Sequence, residues 1–463
     1  MPVHLIVLPL LQAVLPSPQP VIAVTRVNVI DVARGIALPD QTVIVGGGRI
    51  QVVGPSSNVP IPRGARVIDG RSGHLIPGLW DMHVHLHMAG RSALGLYLAA
   101  GVTGVRDMGG GFETVRGWRD SITAGMLPGP RIEMTGPLVE NRGWRDAVAG
   151  MLRKSGDTAT AEEIASRSGI GGPDDVAAVV DQALALGMRF IKLRNDPPPA
   201  AYFALLREAR RRGLGVVGHP PARTSLAAAV DSGQASLEHS LISFRNGKFH
   251  SALDLMTPTE RTDFIRRLVE HRTTLVPTLV AGLAYRRTPD SVALAIVADS
   301  AGRLDPRRRY VSPKLAWHWR RQIEMKQFEG PDSTDWAGLH RQTSAWLRIF
   351  DSAGVSLLAG TDLAVPLVYP GFSLHDELEL QVRDGGRTPA RTLRGATLGP
   401  AEFLGLAGET GTIEAGKVAD LVLLEGNPLE DITQVRRIRA VIRNGRVFDR
   451  SELDGLLRQG VQD

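Results

Sequence analysis

Six side chains able to hold a metal ion or move a proton follow short apolar runs: His83, His85, Lys192, His219, His239 and Asp362. In PGLWDMHVHLH, His83 and His85 are separated by one residue. On a strand, residues i and i+2 face the same side, so the two imidazoles can bind one ion. His87 continues the alternation but falls beyond the expected strand end. Lys192, in MRFIKLRND, puts an amine at the end of an apolar strand, a costly place unless the amine is paired or altered. A desolvated lysine can lose its proton. The neutral amine can then add carbon dioxide and become a carbamate, an anionic ligand with two oxygens; an ordinary salt bridge is the other reading. His219 in VVGHPPA and His239 in SLEHS each follow an apolar run, and one helix, TSLAAAVDSG, fits the gap between them. Neighbouring strands are therefore expected to carry the two rings. Asp362, in SLLAGTDLAVP, can ligate an ion and accept a proton, or cap a helix. Glu238 is expected to point away from the site, into the wall or a salt bridge. Arg106 and Asp107 are expected to form an internal ion pair.

The elements that must position these residues follow from hydrophobic periodicity. From about Pro77 to Gly408, short apolar strands alternate with amphipathic helices. Strand ends are expected at His83/His85, Val105, Met134, Ile191/Lys192, Val217, Leu237, Val276 and Leu358/Ala359. Eight such strands make an α/β fold with a (β/α)8 TIM barrel, in which polar residues at the C-terminal strand ends form the site. Residues 243–345 exceed what a minimal barrel needs and read as helical insertions that either roof the site or pack as outer helices. Before and after the barrel the texture is β: VIAVTRVNVI, QTVIVGG and RIQVVG at one end, DLVLLEG, RAVIRNG and RVFD at the other. Gly46-Gly47-Gly48 reads as a hairpin turn. The expected division is residues 23–76 with 409–450 as one small composite β-sandwich domain, 77–408 as the barrel, and 451–463 as a C-terminal tail.

Composition narrows the chemistry. The 463 residues include no cysteine, which excludes disulfides, iron–sulfur clusters, thiol nucleophiles and cysteine-held zinc. Any metal must sit on His, Asp, Glu or a modified side chain. Six lysines against 48 arginines make a lysine at a strand end notable, because arginine cannot form a carbamate. The net charge of +6 comes with dispersed arginines and no nucleic-acid-binding signature. Residues 1–22 form an apolar, proline-broken run too short for a membrane span. They read as an export signal that sends the protein to the periplasm or outside, or as a plain extension of a cytoplasmic chain.

The ordered set His-x-His, Lys, His, His, Asp, with IPGLWDMHVHLH, GVTGVRDMGGG, SLHDELELQVRDGG and GTIEAGKVADLVLLEGNPLEDI, resembles the amidohydrolase superfamily, in its prolidase-like and imidazolonepropionase-related branch. The resemblance runs from about Val24 to Asp449. It implies two divalent metal ions, most often zinc. His83, His85 and Asp362 would hold the more buried ion and His219 and His239 the more exposed one, with carboxylated Lys192 and a hydroxide bridging them. It further implies a hydroxide made at neutral pH, a carbonyl polarised by metal, and Asp362 carrying the proton to the leaving nitrogen.

The implied activity is hydrolysis of amide bonds in small N-acyl amino acids or dipeptides. The alternatives are a mononuclear hydrolase or deaminase of cyclic amides or amidines, a lactonase, or a binding protein without catalysis. The substrate side departs from the prolidase pattern: Pro221 stands where a second histidine is frequent, Ser240 and Leu241 follow His239, and TGPLVENRGW lacks a histidine. Arg223 could grip a substrate carboxylate, and His375 could touch the substrate or cap a helix. The partner expected is a small molecule, with a homo-oligomer left open.

Overall fold

The computed structural model describes residues 20–136, 138–195, 197–220, 222–326 and 333–462. The export signal expected over residues 1–22 falls almost wholly outside them.

Both chain ends enter one sheet. Its strands run in the order Arg446–Asp449, Ile438–Arg443, Leu421–Leu424, His74–Pro77, Ile22–Asp31, Ile36–Gly46 and Arg49–Pro55, and Arg66–Asp69 pairs with Ile22–Asp31 off this path. The seam between the ends is an antiparallel ladder from Leu421↔Pro77 to Leu424↔His74. Alternating side chains on these strands, among them Val24, Val27, Val43, Leu75, Leu421 and Ile442, pack into one apolar cluster. The glycine turn joins its strands with φ of 60° at Gly47 and 77° at Gly48. Two positive values in succession make the two-residue turn that matches strand twist.

The middle of the chain is built of parallel strands. One sheet contains Leu79–Val84, Val102–Asp107 and Arg131–Met134. Another runs Ser168–Ile170, Val139–Asn141, Phe190–Leu193, Gly215–Gly218, Gln234–Glu238 and Thr274–Val276. Every residue of Leu79–Val84 and Val102–Asp107 is buried, as expected of parallel strands covered on both faces. Seven of the eight expected strands are present. The eighth segment is tied in by isolated bridges, Leu275↔Leu357 and Val84↔Leu363, and by the Met82 amide donating to the Ala359 carbonyl at 2.9 Å. This segment thus links the two sheets. Val139–Asn141 and Ser168–Ile170 are additional three-residue strands that the apolar pattern did not show.

The region 243–345 is not wholly helical. It begins with the hairpin Ile242–Arg245 and Lys248–Ser251. Helix Pro313–Met325 lies across the strand ends: Lys314 donates to the His87 carbonyl at 3.0 Å, and Gln322 to the Ala364 carbonyl at 2.9 Å. The C-terminal tail is the helix Arg450–Gln462, which packs on helix Ala93–Ala99 and buries Leu453 completely. Among the described residues, no helix is long and apolar enough to cross a membrane.

Candidate metal centre

Parallel pairing brings the C-terminal strand ends to one edge, and backbone bonds carry the register into the chemically competent residues. The His219 amide donates to the Leu193 carbonyl at 3.2 Å and the His239 amide to the Val276 carbonyl at 2.7 Å. The Asp362 amide donates to the His83 carbonyl at 2.8 Å, and His85 to the Leu363 carbonyl at 3.1 Å. Gly218 lets the strand before His219 approach its neighbour: a Cβ there, at φ +143°, would lie 2.0 Å from the Leu193 oxygen.

The rings converge. His83 lies 5.5 Å from His85 and 4.7 Å from His239, centroid to centroid, and His239 lies 4.8 Å from His219. Asp362 Oδ1 stands 3.4 Å from His83 Nε2 and 3.6 Å from His85 Nε2, and Oδ2 stands 3.6 Å from His239 Nδ1. Ligand atoms of His83, His239 and Asp362 all fall within 4.8 Å of one another.

The other ring nitrogens are held from behind. His83 Nδ1 donates to Glu238 Oε2 at 2.8 Å, and His85 Nδ1 to the Gly109 carbonyl at 2.8 Å. His239 differs: its Nδ1, the nitrogen nearest Asp362 Oδ2, is the one that meets Thr278 Oγ1, at 2.9 Å. With their protons committed there, His83 and His85 turn Nε2 lone pairs toward a carboxylate oxygen. Lone pairs facing a carboxylate repel unless a cation stands between them. Such backing partners fix the tautomer and orientation of metal-binding imidazoles.

Electrostatics point the same way. Burial pushes the pKa of His83 and His219 well below the ordinary histidine value, and the Lys192 charge adds to this. Burial brings His85 down to about 4, against the opposing pull of Asp362. It brings His239 down to about 3, with Lys192 acting in the same direction. Neutral imidazole is the ligating form. Lys192 is completely buried, and its Nζ has no hydrogen-bond partner. Burial lowers its pKa to about 8, although Glu238 and Asp362 favour the charged amine. Burial raises the pKa of Asp362, opposed by the charges of His85 and Lys192. An orphaned buried amine, an orphaned His83 Nε2 and four neutral rings, three of them beside the Asp362 carboxylate, form a donor set that fits divalent cations.

Three residues of this cluster have left-handed backbones: His239 at φ 68°, Thr278 at 46° and Asp362 at 56°. Each costs roughly 1 kcal/mol or more, and such strain persists where the surroundings over-determine it.

Several sequence expectations need correction. Glu238 does enter a salt bridge, with Arg106 Nη2 at 2.8 Å, but it does not point away from the site, since the same carboxylate holds His83. Arg106 therefore pairs with Glu238, not Asp107. Neighbours on a strand face opposite sides, and Asp107 instead accepts from the amides of Leu86 and Gly109 at 2.8 and 3.0 Å. His375 is spent elsewhere: its Nε2 donates to the carbonyl of Ala100, just before strand Val102–Asp107, at 2.8 Å. The charges acting on it are Arg436 and Asp376, not those of the histidine cluster. Arg223 is exposed, four residues beyond His219.

Sequence reading passed over Thr278, Asp81 and Arg194. Asp81 accepts from Thr361 Oγ1 at 2.7 Å and from the Thr361 amide at 3.0 Å, which pins the residue before Asp362. Its place two residues before His83 was the available signal. Arg194 stands two residues after Lys192.

Residues 74–448 match the profile of the Amidohydrolase family. The chain is 24% identical to the ochratoxinase of Aspergillus niger over 428 aligned residues, covering 81% of this chain and 75% of that protein. It is 25% identical to the imidazolonepropionase of Pseudomonas entomophila (strain L48), covering 84% of this chain and 88% of that one. A solved structure from Bifidobacterium longum, described as a prolidase, superposes with a TM-score of 0.68 at 26% identity, covering 96% of this chain and 99% of the other.

Proposed function

Because the chain belongs to the amidohydrolase family, and so is a hydrolase of carbon–nitrogen bonds, we propose that it cleaves amide bonds of small N-acyl amino acids or dipeptides at a binuclear divalent-metal centre. The observation that carries this reading is that His83 and His85 turn Nε2 toward Asp362 Oδ1 while their Nδ1 hydrogen bonds are already made. His83, His85 and Asp362 would hold one ion, His219 and His239 the other, and carboxylated Lys192 would bridge them. Nitrogen and oxygen donors in this ratio suit zinc. The parallel strands of residues 77–408 are read as a closed (β/α)8 barrel, and 23–76 with 409–450 as a composite β domain.

Bound divalent ions supply an acidified water and a polarised carbonyl oxygen. The protein prepares the rest. Lys192, unpaired and buried, is suited to lose a proton and add carbon dioxide. An N–C bond forms, the amine proton leaves to solvent, and the carbamate keeps a negative charge. Glu238, Gly109 and Thr278 hold the imidazoles at fixed angles. Asp362, 18% exposed and with its pKa raised by burial, takes the proton of the attacking water and returns it to the departing amine nitrogen. Helix Pro313–Met325 is tied to the same strand ends through Lys314 on the His87 carbonyl and Gln322 on the Ala364 carbonyl.

The test is a panel of N-acyl amino acids, dipeptides and lactones offered to protein loaded with zinc and bicarbonate. Turnover of the amides is expected; turnover confined to lactones overturns the reading.

A further inference from the structure

Lys192 and Arg194 alternate on the same side of their segment, with the Arg194 amide continuing the ladder onto the Val139 carbonyl at 3.0 Å. Arg194 therefore stands one step above the buried amine, at the mouth of the cluster, where its side chain is 38% exposed. It is held on two sides. Nη1 donates to Glu140 Oε1 at 3.1 Å, and the guanidinium lies over the Trp144 ring, with Cζ 5.4 Å from the centroid.

Glu140 is fully buried and already carries two other donors, Arg167 Nη1 at 2.6 Å and Asn195 Nδ2 at 2.6 Å. Its single negative charge is therefore shared between Arg167 and Arg194. Among the described residues, Nη1 alone of the three guanidinium nitrogens makes a hydrogen bond, so most of the five-donor fork is unused. Around this mouth stand the cations Arg167, Arg194 and Lys314 and the carboxylates Glu140, Glu163 and Asp362. The Arg194 charge bears on His85, Lys192, His219 and His318 of the roofing helix, all of which it pushes toward the neutral form. A fixed cation beside a site that gathers metal cations raises the local positive potential, and an anionic ligand relieves it.

We propose that Arg194 anchors a carboxylate carried on the amine side of the scissile bond, so that the site selects acyl amino acids and C-terminal peptide bonds over neutral amides. This rests on the hydrolase reading above. Trp144 and Glu140 pre-orient the guanidinium, so little side-chain entropy is lost when the carboxylate pairs with the fork. Arg223, which sequence alone suggested for this role, is exposed.

The test compares N-acetyl-L-phenylalanine with its C-terminal amide by calorimetry, on zinc- and bicarbonate-loaded wild type, Arg194→Gln and Arg194→Lys. The wild type should bind the acid more tightly. Arg194→Gln should lose roughly 10- to 100-fold in affinity for the acid and little for the amide. Arg194→Lys, a charge without the fork, should fall between them. For hydrolysed substrates the loss should appear in KM for free carboxylates, with kcat and metal content little changed. Equal losses for acid and amide, or an acid preference that survives Arg194→Gln, overturn the anchor. If the wild type hydrolyses no acyl amino acid, the hydrolase reading fails while the calorimetric comparison still decides the role of Arg194.

Discussion

Glu238→Gln removes one charge from the fully buried chain Arg106–Glu238–His83. Arg106 Nη2 lies 2.8 and 2.9 Å from the two carboxylate oxygens, and His83 Nδ1 lies 2.8 Å from Oε2. A glutamine offers one acceptor and one donor group. It can accept from His83 or from Arg106, but its amide hydrogens then face the other donor. Arg106 keeps its bond to the Met82 carbonyl at 2.7 Å but loses its counter-charge while completely buried. Breaking a buried pair in this way costs about 3–5 kcal/mol. Loss of the partner behind a metal-binding histidine costs about 10- to 100-fold in metal affinity, or about 1.4–2.8 kcal/mol. Chemical denaturation of the chelator-treated protein reads the first quantity. The extra stabilisation from added zinc at fixed free concentration reads the second, because the ion binds the folded state. Arg106→Met alone and combined with Glu238→Gln completes a double-mutant cycle, with a coupling of about 3 kcal/mol expected. A coupling below about 1 kcal/mol, with unchanged zinc stabilisation, would refute the assignment of Glu238 as the link between the buried arginine and the metal centre.

Gly360→Ala should disturb the same histidine from the other side. The added methyl would lie 2.6 Å from Val276 Cγ1 and 3.0 Å from His83 Cβ, so a loss of about 1–3 kcal/mol is expected together with weaker zinc binding. Unchanged melting and metal affinity would contradict that packing. His375 gives a pH dependence separate from the metal centre. Burial holds its pKa at about 4, against 6.5 for the ordinary value, so on acidification the unfolded chain takes up the proton first. The associated stability is present above about pH 6.5 and is lost as pH falls toward 4, a change of about 3 kcal/mol. His375→Gln should flatten that loss, read from denaturation midpoints at neutral and acid pH; an unaltered slope contradicts it.

The ligand candidates were legible because each required residue type follows an apolar strand, and parallel pairing delivers strand ends to one edge. Simple alternation would set Glu238 on the face opposite His239, but His239 has a left-handed backbone that breaks the pleat at that point. Thr278 left no signal: a threonine after a short apolar run looks the same whether or not a ring nitrogen meets it. The strands Val139–Asn141 and Ser168–Ile170 are too short to show periodicity, and the eighth segment joins its neighbours by isolated bridges although its apolar run reads as a strand. Charge pairing was the least legible level. Arg106 and Asp107 adjoin in the chain, yet the strand sends them to opposite faces, and the counter-charge of Arg106 comes from a strand 132 residues away.

The most direct measurement is the metal content of protein grown with zinc and bicarbonate, taken for the wild type and Lys192→Ala. About two ions per chain in the wild type, with loss of metal and of nearly all activity in Lys192→Ala, is the expected result. About one ion per chain in the wild type, with Lys192→Ala still active, would contradict the binuclear centre.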